Sequence, residues 1–512
     1  MNLRPIVLFL ALCLLAPWNL RAHVGSPDVF FDGNVGPYPA HVTIRMPPVV
    51  PGRARIEVRP EPTQPLSVSF LPLYSRTAIK NAPPAEVASP VADQPGLYAG
   101  DLWLMSVGAY SIQVRLAGPS GEGVIQIPVN SVATHQMPLP AYLRDILLAL
   151  GSVLTFGGVA IAYAAAGESV LAPEATMQWA NRRRGIIASI VTTLVLALAL
   201  AGGWHWWQLE EQDFRRHLRD GAWPDLAATI ESVGPQRVLH LTVGEKAFEP
   251  DYSLPLVPDH GKPLHLFLLR EPAHDVFAHV HPVRRGGRSF DLLLPELPEG
   301  TYRLFADLTL SDSGLSSTAS TTLQIPPLAS QSPSPEVTAS VKPDADDAWA
   351  AVSPAPVPTA SGAEAVCTLP GGGHATWRSH PPLRARHNAH LDFEFRDAHG
   401  QPLPLEPYMG MMSHAAILRT DGAVFAHLHP TGNYSMAAQA YFATKAVREN
   451  APGCDAPPPD HTKLHAGPAG DAPISAVSIP YEFPSAGDYV IWVQVKSSGQ
   501  VFTAAFSTTV AP

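Results

Sequence analysis

The sequence predicts a mainly β protein, with three immunoglobulin-like β-sandwich domains and a two-helix transmembrane hairpin. Three observations predict it. A pattern of alternating strand, Gly-containing turn, Tyr and second alternating strand occurs at 97–114 (LYAGDLWLMSVGAYSIQV), 289–307 (SFDLLLPELPEGTYRLFAD) and 478–494 (SIPYEFPSAGDYVIWVQ). Period-two alternation across such a turn marks a β-hairpin, and a Tyr just after it fits the corner of a sandwich. Two apolar runs, 146–166 and 186–207, are each about long enough to span hydrocarbon. Finally, 55 of 512 residues are proline and helix-periodic stretches are few, which suits β domains joined by Pro-rich connectors.

The elements follow in chain order. Arg4, the apolar run 6–16 and Leu20-Arg21-Ala22 have the form of a secretory signal over 1–22. Cleavage there leaves His23 at the N-terminus, where amine and imidazole together chelate copper, with His41 the nearest second nitrogen ligand. The first sandwich is expected over 23–135 and the transmembrane hairpin over 142–207. Asn181-Arg182-Arg183-Arg184 sits beside the second span and places the connecting loop in the cytoplasm by the positive-inside rule. Trp204, Trp206 and Trp207 close that span as interfacial aromatics do. Neither run holds Asp, Glu, Lys or Arg, so the hairpin reads as an anchor and not an ion route. Residues 208–235 form a juxtamembrane segment, read as a short surface helix. The second sandwich occupies 236–326, a Pro/Ala/Ser-rich linker 327–362, and the third sandwich 363–512, with a loop-like insertion at about 437–474.

Composition excludes some functions. The formal charge is -10, charged residues make up 15%, and no basic block stands out, so nucleic acid is not an expected partner. No Gly-x-Ser-x-Gly elbow, P-loop or His-Glu-x-x-His helix is present, and the protein is read as a non-enzyme. Cys367 and Cys454 follow the signal; outside the cytoplasm they are either a disulfide or two thiols.

One phrase is written twice: VFAHVHP at 276–282 and VFAHLHP at 424–430. Upstream, LVPDHGKPLHLFLLR (256–270) aligns without a gap to LEPYMGMMSHAAILR (405–419), an internal duplication. Alternate strand residues share a face, so His279 and His281 project together with Phe277, and His427 and His429 with Phe425. His265 and His414, on the preceding strands, are the natural third ligands. Three imidazoles suit Zn(II), Cu(II) or Ni(II). The third domain adds Met409, Met411 and Met412, and His260 stands where the repeat has Met409. Thioethers favour Cu(I), so copper is the expected ion and zinc the alternative. The competing reading is that the histidines bond to backbone and the methionines fill a core.

The stretch 405–430, followed by the Gly-Asp-Tyr hairpin, resembles YtkA-like domains of bacterial exported proteins and, more loosely, CopC-like copper-binding sandwiches. Residues 23–52 resemble the opening of a membrane-anchored multidomain protein of the same sort. The resemblance implies an exported sandwich fold and favours His414, His427 and His429 as the site. The expectation is therefore a protein of the bacterial inner membrane, its globular domains in the periplasm, that binds or passes on a transition metal. Its partners would be the lipid bilayer and other envelope metal-handling proteins. The alternatives are a metal-free structural or docking module and a copper redox enzyme built on His23.

Overall fold

The computed structural model describes residues 27–61, 66–134, 137–169, 171–172, 174–220, 225–233, 236–244, 255–328, 343–357, 364–378, 382–449 and 474–512. The signal at 1–22, His23 and Cys454 lie outside these residues.

The first sandwich contains β1 (Val29–Val35), β2 (Tyr38–Arg45), β3 (Gly52–Pro60), β4 (Ser67–Tyr74), β5 (Glu86–Val87), β6 (Ser89–Pro90), β7 (Tyr98–Leu104), β8 (Gly108–Gly118) and β9 (Gly121–Ser131). They form sheets ordered β1-β2-β3-β7-β6 and β5-β4-β8-β9. Alternate residues such as Val42, Ile44, Ile56, Ile112 and Val114 fill the space between them.

Two helices follow and form a separate unit: α1 (Ala141–Glu168) and α2 (Trp179–Asp220). A side chain at Gly185 would meet the Tyr163 ring at 2.8 Å, and one at Gly167 would meet the Asn181 carbonyl at 3.3 Å, so small residues let the two helices approach as an antiparallel hairpin. Both are long and apolar enough to cross a bilayer, and Leu148, Phe156, Leu198 and Trp204 face outward. The second helix runs past the apolar stretch to Asp220, into the segment expected to form a separate short helix, and the later part of that segment is a strand of the second sandwich.

The second sandwich begins earlier than the 236 expected from sequence. Its strands are β10 (Leu226–Val233), β11 (Gln236–Val243), β12 (His265–Glu271), β13 (Val276–Val280), β14 (Val283–Gly286), β15 (Ser289–Leu293), β16 (Gly300–Thr309) and β17 (Ser316–Ile325). The stretch expected to be only linker supplies β18 (Ala348–Ala351), antiparallel to β13, and β19 (Ala355–Pro356), parallel to the final strand of the chain. Both add to existing sheet edges, satisfying backbone groups there. The third sandwich continues with β20 (Glu364–Thr368), β21 (His374–Arg378), β22 (Asn388–Arg396), β23 (His414–Arg419), β24 (Phe425–Leu428), β25 (Ala476–Glu482), β26 (Gly487–Ser497) and β27 (Gln500–Val510). The insertion expected to be a loop contains α3 (Met436–Arg448), capped by Ser435 Oγ, which accepts from Ala438 N at 3.1 Å.

The three Gly–Tyr hairpins end in the same corner. Tyr302 Oη donates to the Pro298 carbonyl at 2.8 Å and Tyr489 Oη to the Ser485 carbonyl at 2.8 Å, while Tyr110 Oη accepts from Ser106 N at 3.1 Å.

The three sandwiches form one compact unit. Alternation along β1 sends Phe31 into the first core and Phe30 into the third. Asn433 locks this junction: its Oδ1 accepts from Phe30 N at 2.8 Å and its Nδ2 donates to Asp28 O at 2.8 Å. The second and third sandwiches meet face to face through the sheets β17-β16-β12-β13-β18 and β19-β27-β26-β23-β24. Between them lies a layer of Phe267, Leu269, Phe277 and Phe305 against Ala416, Leu418, Phe425, Val490, Trp492 and Ala505. Phe305 stacks on Phe425 (4.0 Å, 6°) and Phe277 on Trp492 (5.2 Å, 14°).

Candidate metal centre

The duplicated strands are buried on both faces. On β13, Val276, Ala278 and Val280 enter the core of the second sandwich while Phe277 and His279 face the neighbouring domain. On β24, Ala426 and Leu428 enter the third core and Phe425 and His427 face back. The face expected from the alternation is therefore the interface between domains. Aromatic rings occupy one part of it, and the histidines of both repeats gather into one cluster.

Seven imidazoles meet there: His260, His265, His279, His281, His414, His427 and His429. Ring centroids lie 4.9 Å apart for His265–His281, His279–His281 and His414–His429, and 4.6 Å for His427–His429. Across the junction, His265–His427 and His279–His427 are each 5.6 Å apart and His279–His414 5.9 Å. Five of the rings are buried; the His260 and His427 side chains are 8% and 9% exposed.

His260 comes from the second sandwich yet stands beside His414 and His429 of the third, at 5.4 and 5.6 Å. It sits on a tight turn with φ +49°, followed by Gly261 at +81°; Asp259 and Lys262 pair around it. Met409 (φ +49°) and Gly410 (φ +79°) form the matching turn between Tyr408 and Met411. Paired positive φ values are the geometry of a type I′ turn, which explains the glycine in both repeats. Met409 and Met411 are buried, whereas Met412, expected to be a ligand, packs against the core of the third sandwich. Met436 packs against the first core.

Hydrogen bonds tie four of the rings into two pairs. His265 Nε2 faces the Asp259 carbonyl at 3.2 Å and so carries the proton, leaving Nδ1 as the acceptor. His279 Nδ1 faces the Gln494 side-chain amide at 3.1 Å, and that amide also meets Thr503 Oγ1. His265 Nδ1 and His279 Nε2 stand 3.0 Å apart, a gap that one shared proton fills in the metal-free protein. The third domain repeats the arrangement. His414 Nε2 donates to the Tyr408 carbonyl at 3.0 Å, His427 Nδ1 faces Asp307 Oδ2 at 3.3 Å, and the remaining His414 Nδ1 and His427 Nε2 are 3.2 Å apart. The support is exchanged: Gln494 of the third domain orients His279, and Asp307 of the second orients His427. Asp307 and Gln494 hold matching positions, opposite His265 and His414 in their sheets.

His281 Nδ1 faces Asp347 Oδ1 at 3.0 Å. Its Nε2, His260 Nε2 and both nitrogens of His429 are buried with no hydrogen-bond partner among the described residues. Leaving a buried polar group unsatisfied costs about 1–3 kcal/mol. Protonation does not relieve the strain. Burial, then the neighbouring imidazoles, pushes His265, His279, His414 and His429 well below the usual histidine range. Burial also lowers His260, against the pull of Asp259. His260, His265, His279, His414 and His429 are thus held toward the neutral form, in which an imidazole is a nitrogen donor. Metal–nitrogen bonds of about 2.0–2.1 Å in a tetrahedron put donor atoms about 3.3 Å apart, close to the spacing of the facing pairs. His265, His279 and His281 could hold one ion, as could His260, His414 and His429; in each set the donor atoms lie within 4.8 Å of one another.

His265, His279, His281, His414, His427 and His429 were legible from the duplication, and His260 was noted as a repeat difference. That His260 crosses to the other repeat was not legible, because sequence carries no sign of which domains dock. Asp307, Asp347 and Gln494 were missed for the same reason. A further group, Asp32, His41 and His390, lies at the junction of the first and third sandwiches. Burial there, with His390 nearby, pushes His41 down to about 4. Cys367 is buried and its Sγ accepts from Ala505 N at 3.4 Å; the disulfide expectation falls outside the described residues with Cys454.

The family model described as "Domain of unknown function (DUF8832)" matches residues 370–452 and 458–512, within the third sandwich. No curated protein matches the chain. Among solved structures, trypsin-activated alpha-2-macroglobulin from Escherichia coli is similar at 10% identity over 97% of this chain, with a TM-score of 0.17. The chain spans about a quarter of that protein (24%). A putative membrane anchored protein from Corynebacterium diphtheriae is similar at 9% identity over 95% of this chain and 96% of that one, with a TM-score of 0.14. A chimeric titin Z1Z2 tandem is similar at 14% identity over 56% of this chain and 100% of that one, with a TM-score of 0.13.

Proposed function

We propose that the protein is a membrane-anchored transition-metal-binding protein of the bacterial envelope, with its centre at the junction of the second and third sandwiches. The observation that carries this reading is the convergence of two sets of three imidazoles, His265, His279 and His281 and His260, His414 and His429, with four ring nitrogens that have no hydrogen-bond partner among the described residues. Buried nitrogens without a partner are costly unless a cation answers them. A metal-free docking surface would gain more from apolar residues at these positions.

An all-imidazole set suits copper and zinc, and the first-row affinity order favours copper where both are present. When bound, the ion would be held by imidazoles whose outer nitrogens meet Asp307, Asp347, Gln494 and two carbonyls. Such support sets ring orientation and raises donor strength. The two apolar helices serve as the anchor. With Arg182, Arg183 and Arg184 beside the second span, the loop between them belongs in the cytoplasm and the sandwiches in the periplasm. Other envelope metal-handling proteins are the corresponding partners.

A second reading is favoured by the aromatic layer, which already binds the two domains: the junction is structural and the histidines only complete it. Titration separates the two. The detergent-solubilised full chain is titrated with Cu(II), Cu(I) and Zn(II) in competition with a chromophoric chelator. Saturable uptake that survives dialysis supports metal binding; no uptake of any of the three leaves the structural reading.

A further inference from the structure

Resting on the metal-binding reading, we propose that the cluster is a two-ion centre, and that one ion is shared between domains. The first site is His265, His279 and His281, all from the second sandwich. The second is His414 and His429 of the third sandwich with His260 reaching across from the second.

The two sets have no residue in common, and each brings one donor atom per ring within 4.8 Å of the others. Each contains nitrogens that have no hydrogen-bond partner among the described residues: His281 Nε2 in the first, His260 Nε2 and both His429 nitrogens in the second. A single ion at either set would leave the other set's lone pairs unanswered. His427 stands between them, 4.6 Å from His429 and 5.6 Å from both His265 and His279 by ring centroids. Its Nε2 faces His414 Nδ1 at 3.2 Å, so it stands beside the second site and bonds to one of its donors.

Charge compensation is also arranged twice. Asp347 supports the first set through His281, and Asp307 the second through His427. Asp259 adds a carboxylate oxygen 3.5 Å from His260 Nε2. Two cations in one neutral pocket therefore have acidic groups on both sides.

The sites are not equivalent. The first draws all three of its ring donors from one domain, and only the Gln494 support of His279 comes from the third sandwich. The second requires the domains to be docked, so its ion ties the second sandwich to the third. By linkage, binding there stabilises the docked state over the open one.

The test is metal content and spin coupling in the full chain loaded with Cu(II) and dialysed. Two ions per chain are expected, with a dipolar-broadened or coupled paramagnetic signal. His281→Gln should reduce the content to one ion and restore an isolated-copper signal. His260→Gln should also reduce it to one, and should lose the metal-dependent rise in unfolding temperature of the domain junction, which His281→Gln keeps. The Gln variants preserve size and polarity, and the wild-type spin signal needs no variant. One ion per chain in the wild type, abolished by either substitution, would mean a single shared site and overturn the proposal while leaving metal binding intact. No bound copper or zinc would overturn metal binding itself.

Discussion

His281 and His427 each turn one ring nitrogen to a carboxylate, Asp347 at 3.0 Å and Asp307 at 3.3 Å. Outer partners of this kind fix the ring and strengthen the inner nitrogen as a donor, and losing one typically weakens metal affinity by about 10–100-fold. Asp347→Asn should therefore weaken binding by about that factor with little change in fold, as read by chelator competition; unchanged affinity would remove Asp347 from the site. Protons report on the same residues. His265, His279, His414 and His429 have native values depressed by burial, against about 6.5 in an unfolded chain. As pH falls below 6.5, the unfolded chain takes up protons that the native cluster refuses. Stability of the metal-free protein is then lost at about 1.4 kcal/mol per pH unit for each such histidine, and is flat above about pH 7. Melting temperatures of metal-free protein at pH 7.5 and 5.5 check this, and equal values would contradict it.

The elements explain why so much of the site was legible. Strand alternation assigns every second residue of 276–282 and 424–430 to one face, and a duplication repeats the assignment. What that face meets is a tertiary fact. Phe277, Phe305, Phe425 and Trp492 were visible as strand aromatics, but only docking turns them into a shared layer. Truncating Phe425, which stacks on Phe305 at 4.0 Å, should cost about 3–5 kcal/mol. The Phe425→Ala protein should melt earlier, and metal binding should recover part of the loss because the ion at His260, His414 and His429 spans the same junction. A Phe425→Ala protein with wild-type melting would show that the layer does not hold the domains. Three elements depart from the sequence reading for local reasons. β18 and β19 sit in a Pro/Ala/Ser-rich stretch whose composition signals linker, yet open sheet edges capture them. The helix α3 lies in an insertion otherwise rich in turn-forming residues, so its Ser435 cap and Ala437–Ala438 start stand in a context whose composition signals loop.

At the scale of the whole chain, the fold class and the apolar hairpin were legible because both rest on local pattern: period-two strands, Gly–Tyr corners and uninterrupted apolar runs. The joining of three sandwiches into one unit was not. It depends on β1 sharing itself between two cores and on close approach at Gly432 (φ +128°), where a Cβ would lie 1.8 Å from the Phe30 carbonyl oxygen. That contact follows the second His-x-His by three residues, so the first sandwich braces the loop that carries His429. Metal binding rests on the nitrogen cluster between the second and third domains. X-ray absorption at the metal edge of the copper-loaded full chain reads that cluster out. The first shell should be dominated by nitrogen, with the outer-shell scattering of several imidazole rings. A first shell of oxygen without imidazole scattering, or a chain that holds no copper to measure, would contradict it.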